Sequence, residues 1–204
     1  MTTNTSLLPK YIYTPAIQRA IALATNTHEI SQKQKRKGKD TPYITHPLTV
    51  GLILASAGGS EPLVIAGILH DTIEDSPAEM KVTASQIKKQ FGSKVAKLVE
   101  SVTEKRKDLP WAIRKQKALE HIKDFSHDSL MLKAADTLAN VSELLEDYKV
   151  EGDKTFLRFN APKEEILHNY LKTVTAMISG WQKNPLANDL KSLSAELLLL
   201  VATH

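Results

Sequence analysis

The stretch "GILHDTIEDSP", residues 67–77, places His70, Asp71, Glu74 and Asp75 together directly after an apolar run. If this turn stays helical, His70 and Glu74 lie four residues apart, as do Asp71 and Asp75, so neighbouring faces each carry a pair of ionisable groups. An ionised carboxylate driven toward a core without a partner is costly, and four crowded groups call for something positive among them. One divalent cation meets that need. Further ligands must then come from elsewhere in the chain, and the sequence offers His46 in "YITHP" and Asp136 in "KAADTLAN". There is no Cys, so disulfides and thiolate metal sites are excluded, and any metal must be held by imidazole and carboxylate. Two imidazoles and two carboxylates suit one Mn²⁺ ion, with Mg²⁺, Fe²⁺ and Zn²⁺ as alternatives. Two plainer readings compete. The His-Asp pair can be a helix cap beside a core histidine satisfied by a neighbour, and Asp136 can form a buried ion pair with Lys133, three residues earlier on the same helix.

The elements that would position these groups read as helices throughout. The chain has 204 residues, few aromatics and no long Val/Ile/Thr alternation, which predicts one all-α, single-domain helical bundle. Thr14 to about Ile30 forms a first helix, and Pro47 to about Ala57 a second, with His46 just before it. Ser60 caps a third, in which "LVIAGIL" is apolar almost all round and therefore central, with His70 and Asp71 at its buried end. "TASQIKKQFG" carries a Thr83–Gln86 capping box and a Gly92 stop. "SKVAKLVESVT" and "LPWAIRKQKALEHIKDF" follow. "DSLMLKAADTLANVSELLEDY" is amphipathic, with Leu132, Ala135, Leu138, Leu145 and Tyr148 inward and Asp136 within the apolar stripe. Helices from about Pro162 to Trp181 and about Leu186 to Val201 close the chain. The motif-bearing core thus runs from about residue 14 to 150, and the C-terminal helices from about 161 to 201.

Taken in order, "YITHP", "GILHDTIEDSP" and "KAADTLAN" resemble the metal-dependent HD phosphohydrolase superfamily, and more narrowly the hydrolase domain of Rel/SpoT-type alarmone enzymes. The likeness runs from about Lys33 to Tyr148, and more faintly to Tyr170. It implies that His46, His70, Asp71 and Asp136 bind the metal and that Glu74 and Asp75 work on the nucleophilic water. It further implies that Arg36 and Lys37 of the basic loop hold the nucleotide, together with Asn140. Lys163 and Tyr170 lie on a helix that in similar chains lines the phosphate end. Thr137 and Ala139 depart from the pattern, standing where relatives carry a basic residue and a His or Tyr, so the wall near the nucleotide is expected to differ. No synthetase or regulatory segment follows in this sequence, which resembles the stand-alone small alarmone hydrolases.

The formal charge is +4, and "KQKRKGK", residues 33–39, concentrates five positive charges in one stretch. Alone, such a run reads as a solvated loop or a weak nucleic-acid patch. Beside an acidic metal site it gains another use, neutralising a small substrate that carries several phosphates, with no nucleic acid involved. The expected reaction is metal-dependent hydrolysis of the 3′-pyrophosphate of a (p)ppGpp-like nucleotide, guanine or adenine, giving a 5′-nucleotide and pyrophosphate. Two alternatives stay open: a broader HD-type phosphatase acting on a dNTP, a nucleoside monophosphate or a phosphorylated dinucleotide, and a non-catalytic nucleotide-binding module. His121 and His127 lack an acidic partner at a persuasive spacing for a second metal, and His28, His168 and His204 carry no chemical signal. The start lacks a secretory signal pattern and "ELLLLVA" is too short to span a bilayer, so a cytoplasmic location away from membranes is expected. "LSAELLLLVA" has two uses, internal packing or a homo-oligomer interface.

Overall fold

The computed structural model describes residues 13–104 and 108–202. Helix α1, Pro15–Thr25, starts where the Thr14 hydroxyl accepts from the Ile17 N–H and Pro15 supplies a preset φ. It does not continue as an α-helix to Ile30: a π-helical turn, Asn26–Ile30, follows it and drives the His28 side chain into the interior. The loop to residue 44 holds one isolated antiparallel bridge, Lys35 to Pro42, and no strand forms among the described residues.

Helices α2, Thr45–Ser56, and α3, Glu61–Leu69, pack directly against each other. Their contact is unusually close because glycines stand on it. A Cβ on Gly67 would meet Leu54 Cδ1 at 2.5 Å, and one on Gly51 would meet Ile68 Cγ1 at 2.7 Å. Helix α2 starts at Thr45, not Pro47, so His46 lies inside its first turn with its N–H on the Tyr43 carbonyl. Ser60 does sit at the N-cap of α3, but its side chain makes no capping hydrogen bond. As the apolar pattern predicts, α3 is buried from Leu63 to Leu69, packed by α1 and α2, by α6, Ser93–Val102, and by α8, His127–Glu151.

The chain then leaves α3 at His70 and Asp71 and re-enters a single helical turn, α4, Thr72–Asp75. Helix α5, Ala84–Phe91, has the complete Thr83–Gln86 capping box and ends at Gly92, whose φ of 90° suits glycine alone. Helix α7, Trp111–His121, crosses toward α9, Lys163–Gly180, and α10, Ala187–Ala202, packs on α8 and α9. The long α8 crosses this assembly with Leu132, Ala135, Leu138 and Leu145 buried. No described helix is long and apolar enough to cross a membrane.

Candidate active site

The close α2–α3 contact places the first turn of α2 beside the end of α3. His46 Nε2 and His70 Nε2 therefore lie 3.3 Å apart, both imidazoles buried. His70 Nδ1 is 2.8 Å from the Gly67 carbonyl, to which it donates, leaving the Nε2 lone pair aimed inward. Asp71 Oδ2 approaches His70 Nε2 at 3.0 Å and His46 Nε2 at 3.7 Å. From α8, Asp136 Oδ1 reaches His46 Nε2 at 3.3 Å and His70 Nε2 at 3.7 Å. Four side chains from three segments, spread over 90 positions from His46 to Asp136, thus converge on one point.

The charges explain why this point wants a cation. Burial opposes protonation of His70, yet Asp71 and Asp136 outweigh it and hold the imidazolium form stable well above its usual range. Burial likewise works against ionised Asp71 and Asp136, but the imidazoles, and for Asp136 the Lys133 ammonium, keep both carboxyls well below the ordinary carboxylate range. A divalent ion would replace that excess of protons. Ligand bonds of about 2.0–2.2 Å set neighbouring donor atoms roughly 3 Å apart, which the His–His and His–carboxylate separations match. The donor set fits a metal.

Its supports are equally specific. The Tyr43 hydroxyl donates to Asp71 Oδ2 at 2.6 Å. Lys133 Nζ donates to Asp136 Oδ2 at 2.7 Å while Asn140 Nδ2 donates to Asp136 Oδ1 at 2.7 Å. The ion pair with Lys133 is thus present on Oδ2, while Oδ1 faces the two imidazoles. Lys133 is the ion-pair partner that the helical spacing offered, whereas Tyr43 was not singled out although it sits inside "YITHP".

These groups form one end of a cleft of about 640 Å³. Glu74, Thr137, Asn140 and Tyr170 line it, and Lys37, Arg114 and Lys115 supply cations to its wall. Glu74 Oε1 accepts the Glu104 backbone N–H at 2.5 Å, which ties its carboxylate to the segment after α6. The Glu104 carboxylate in turn pairs with Arg114 and with Lys115, the latter at 3.2 Å.

The basic loop divides its charges. Lys35 pairs with Asp40, Lys39 with Glu143 and Asp147, and Arg36 Nη2 with Glu143 at 2.7 Å. Arg36 also donates to Asn140 Oδ1 at 2.8 Å and lies over the Tyr43 ring, so it is bound to α8 and is absent from the described cleft lining. Lys37 makes no ion pair among the described residues, lines the cleft and stands over the Phe159 ring. Burial and the nearby Arg114, Lys115 and Arg158 push its ammonium below the usual lysine range. Lys163 is nearly buried, donating to Asp153 at 2.7 Å against Tyr148 and Phe156, and it too is absent from the described lining. Asp75 is held by Gln34, whose Nε2 donates to its Oδ2 at 3.0 Å.

A His-Asp pair at the end of a central helix, its His buried and its Asp half-buried, joined by a preceding His and a distant Asp, defines an HD-type site. The chain belongs to the HD domain family, which matches residues 20–159. It is 35% identical over 130 residues to the guanosine-3′,5′-bis(diphosphate) 3′-pyrophosphohydrolase MESH1 of Danio rerio, covering 61% of this chain and 69% of that one. A protein named guanosine-3′,5′-bis(diphosphate) 3′-pyrophosphohydrolase in Aquifex aeolicus is 48% identical over 87 residues, 43% of this chain but only 11% of the longer relative. Among solved structures, a metazoan ortholog of SpoT, described as hydrolyzing ppGpp, superposes with a TM-score of 0.71 at 23% identity, over 89% of this chain and 94% of that one. The fold is thus the all-α HD fold.

Proposed function

We propose that the chain is a metal-dependent hydrolase that removes the 3′-pyrophosphate of (p)ppGpp-like nucleotides, releasing pyrophosphate and leaving the 5′-phosphorylated nucleoside. The observation that carries this reading is the convergence of His46, His70, Asp71 and Asp136 at one end of a cleft whose wall bears Lys37, Arg114 and Lys115. The named activity of the relatives supports it.

The four converging side chains would hold one ion, and Mn²⁺ is the proposed one because the set mixes imidazole with carboxylate and lacks thiolate. When bound, a divalent cation acidifies a water and offsets charge on a phosphate oxygen. Glu74 orients the attacking water and takes its proton onto the carboxylate, which the Glu104 N–H holds in a fixed direction. Water attacks the phosphorus nearest the ribose, the bond to the 3′ oxygen breaks, and that oxygen is protonated on leaving. Lys37, with Arg114 and Lys115, neutralises the phosphates, and Asn140 hydrogen-bonds close to the ribose or base while keeping Asp136 aimed. Arg36 braces the basic loop on Glu143 and Asn140 and so acts on the nucleotide through the placement of its neighbours.

The deciding experiment incubates the purified chain with Mn²⁺ and a panel of 3′-pyrophosphorylated and ordinary nucleotides and identifies the products. Pyrophosphate from the 3′-pyrophosphorylated members is the expected result. Inorganic phosphate from ordinary nucleotides instead would assign the site to a broader phosphatase.

A further inference from the structure

Glu104 touches two working parts of the cleft at once. Its backbone N–H donates to Glu74 Oε1 at 2.5 Å, while its carboxylate pairs with Arg114 through Oε1 and with Lys115 through Oε2, the latter at 3.2 Å. All four residues line the cleft. The hold on Glu74 sets the Arg114 and Lys115 pairings beside the group that handles water, and so beside the phosphates that react.

The pairing is incomplete in a way that suits a larger anion. Arg114 meets Glu104 through Nη1, and its Nε is buried with no hydrogen-bond partner among the described residues. A buried N–H left unmet is unfavourable, and a guanidinium fork matches a phosphate, which can take two of its donors together. The charges are as unbalanced as the hydrogen bonds. Lys37, Arg114 and Lys115 all line the cleft, and among the described residues Glu104 is their one ion-pair partner. Burial works against the charge of Glu104, but Lys115 and Arg114 outweigh it and keep the carboxyl below its usual range, so it is an anion at neutral pH. The side chains of Glu104, Arg114 and Lys115 are 20%, 21% and 33% exposed, and ion pairs that water reaches exchange readily.

We propose that the Glu104 carboxylate is a placeholder: it occupies the anion subsite of Arg114 and Lys115 while the cleft is empty, yields that subsite to the 3′-diphosphate of the substrate, and reclaims it as pyrophosphate leaves. This rests on the hydrolase reading above and adds a residue that limits how tightly the product is held. Once the carboxylate lets go, the guanidinium turns into the cleft and its Nε gains an acceptor. The Glu104 N–H belongs to the backbone and keeps its hold on Glu74. A diphosphate wins the exchange because it brings more negative charge and more acceptors than one carboxylate. The plainer alternative is a structural clasp, in which Glu104 pins Arg114 and Lys115 in the arrangement that phosphate needs. Removing its charge tightens anion binding in the first case and loosens it in the second.

The test is equilibrium dialysis of the full chain against radiolabelled inorganic pyrophosphate at a fixed free Mn²⁺ concentration, with KM for a 3′-pyrophosphorylated guanosine nucleotide measured on the same samples. Glu104→Gln keeps the shape and removes the charge, so it should bind pyrophosphate about tenfold more tightly than the parent and lower KM by a similar factor. Glu100 also lines the cleft but makes no ion pair with Arg114 or Lys115, and Glu100→Gln should alter binding by less than about twofold. In an Arg114→Gln background the gain from Glu104→Gln should shrink to about threefold or less. Unchanged or weaker binding in Glu104→Gln overturns the proposal in favour of the clasp. A gain of equal size in Glu100→Gln overturns it too, since net charge alone would then be sensed, as does the absence of saturable pyrophosphate binding in both parent and Glu104→Gln. If Glu104→Gln fails to fold, Glu104→Ala carries the same expectation. Dialysis needs no turnover: a parent that shows the coupled binding yet releases pyrophosphate from no nucleotide would defeat the hydrolase reading and leave the placeholder standing.

Discussion

At the end of the cleft formed by His46, His70, Asp71 and Asp136, buried anionic and imidazole groups crowd together with Lys133 as the nearest side-chain cation. In the cationic region, Arg114 and Lys115 of the cleft wall are already matched by Glu104, and Arg36 and Lys39 of the basic loop by Glu143 and Asp147. The first region gains by taking up a cation; the second can receive an anion only by adding to, or displacing, its own carboxylates. On the proposed function, tight binding of the ion and readily reversible binding of the nucleotide are both expected of this cleft. A buried site of missing charge is filled once, whereas a partly exposed and internally balanced one exchanges its partners.

The largest expected effect comes from emptying the first region. His70→Ala or Asp136→Ala should abolish metal binding and reduce hydrolysis to background, measured by metal content and product release on the same samples. Glu74→Gln should separate chemistry from assembly, with metal content retained and turnover lower by roughly two orders of magnitude or more. Full turnover in that variant would remove Glu74 from the reaction. On the cationic wall, Lys37→Ala should raise KM by about tenfold with kcat nearly unchanged, since it removes the proposed phosphate contact outside the reacting atoms. An unchanged KM would mean that the cationic wall is structural.

The smallest effect concerns the balance within the second region. Glu104 and Glu143 are partly buried, which disfavours their charge, but Lys115 with Arg114 and Arg36 with Lys39 more than compensate and hold both below the ordinary 4.5. Folded-state values lower than unfolded ones stabilise the protein at neutral pH, and that contribution is lost as pH falls from 4.5 through the depressed values. Melting temperature should therefore drop in that acid window, and Glu143→Gln should flatten part of the drop.

The metal-facing region was far more legible in the sequence than the cationic wall, for a physical reason. His46, the His70–Asp71 pair and Asp136 are types that rarely enter an apolar pattern without a use, and each sits where helical periodicity turns inward. The helices themselves followed from caps and stops such as Thr83–Gln86 and Gly92. The wall depends on pairings that no local pattern encodes: Arg36 meets Glu143 across 107 positions, and the Glu104 amide meets Glu74 across 30. His28 carried no signal because its burial comes from a π-helical turn, which has no periodic signature of its own. The early start of α2 was hidden because a proline at residue 47 is equally at home as the first or third helical residue.

Asp136, Asn140, Glu143 and Asp147 share one stripe of α8 and reach, in turn, the two imidazoles, Arg36 and Lys39. Eleven residues of helix span about 16 Å, so a single stiff rod works as a caliper between the histidine cluster and the basic loop. Its gauge is fixed by backbone pitch and no side-chain adjustment can reset it. One residue inserted between Asp136 and Glu143 would turn the far jaw by about 100° and uncouple the two ends, whereas seven would restore the phase but open the caliper by about 10 Å.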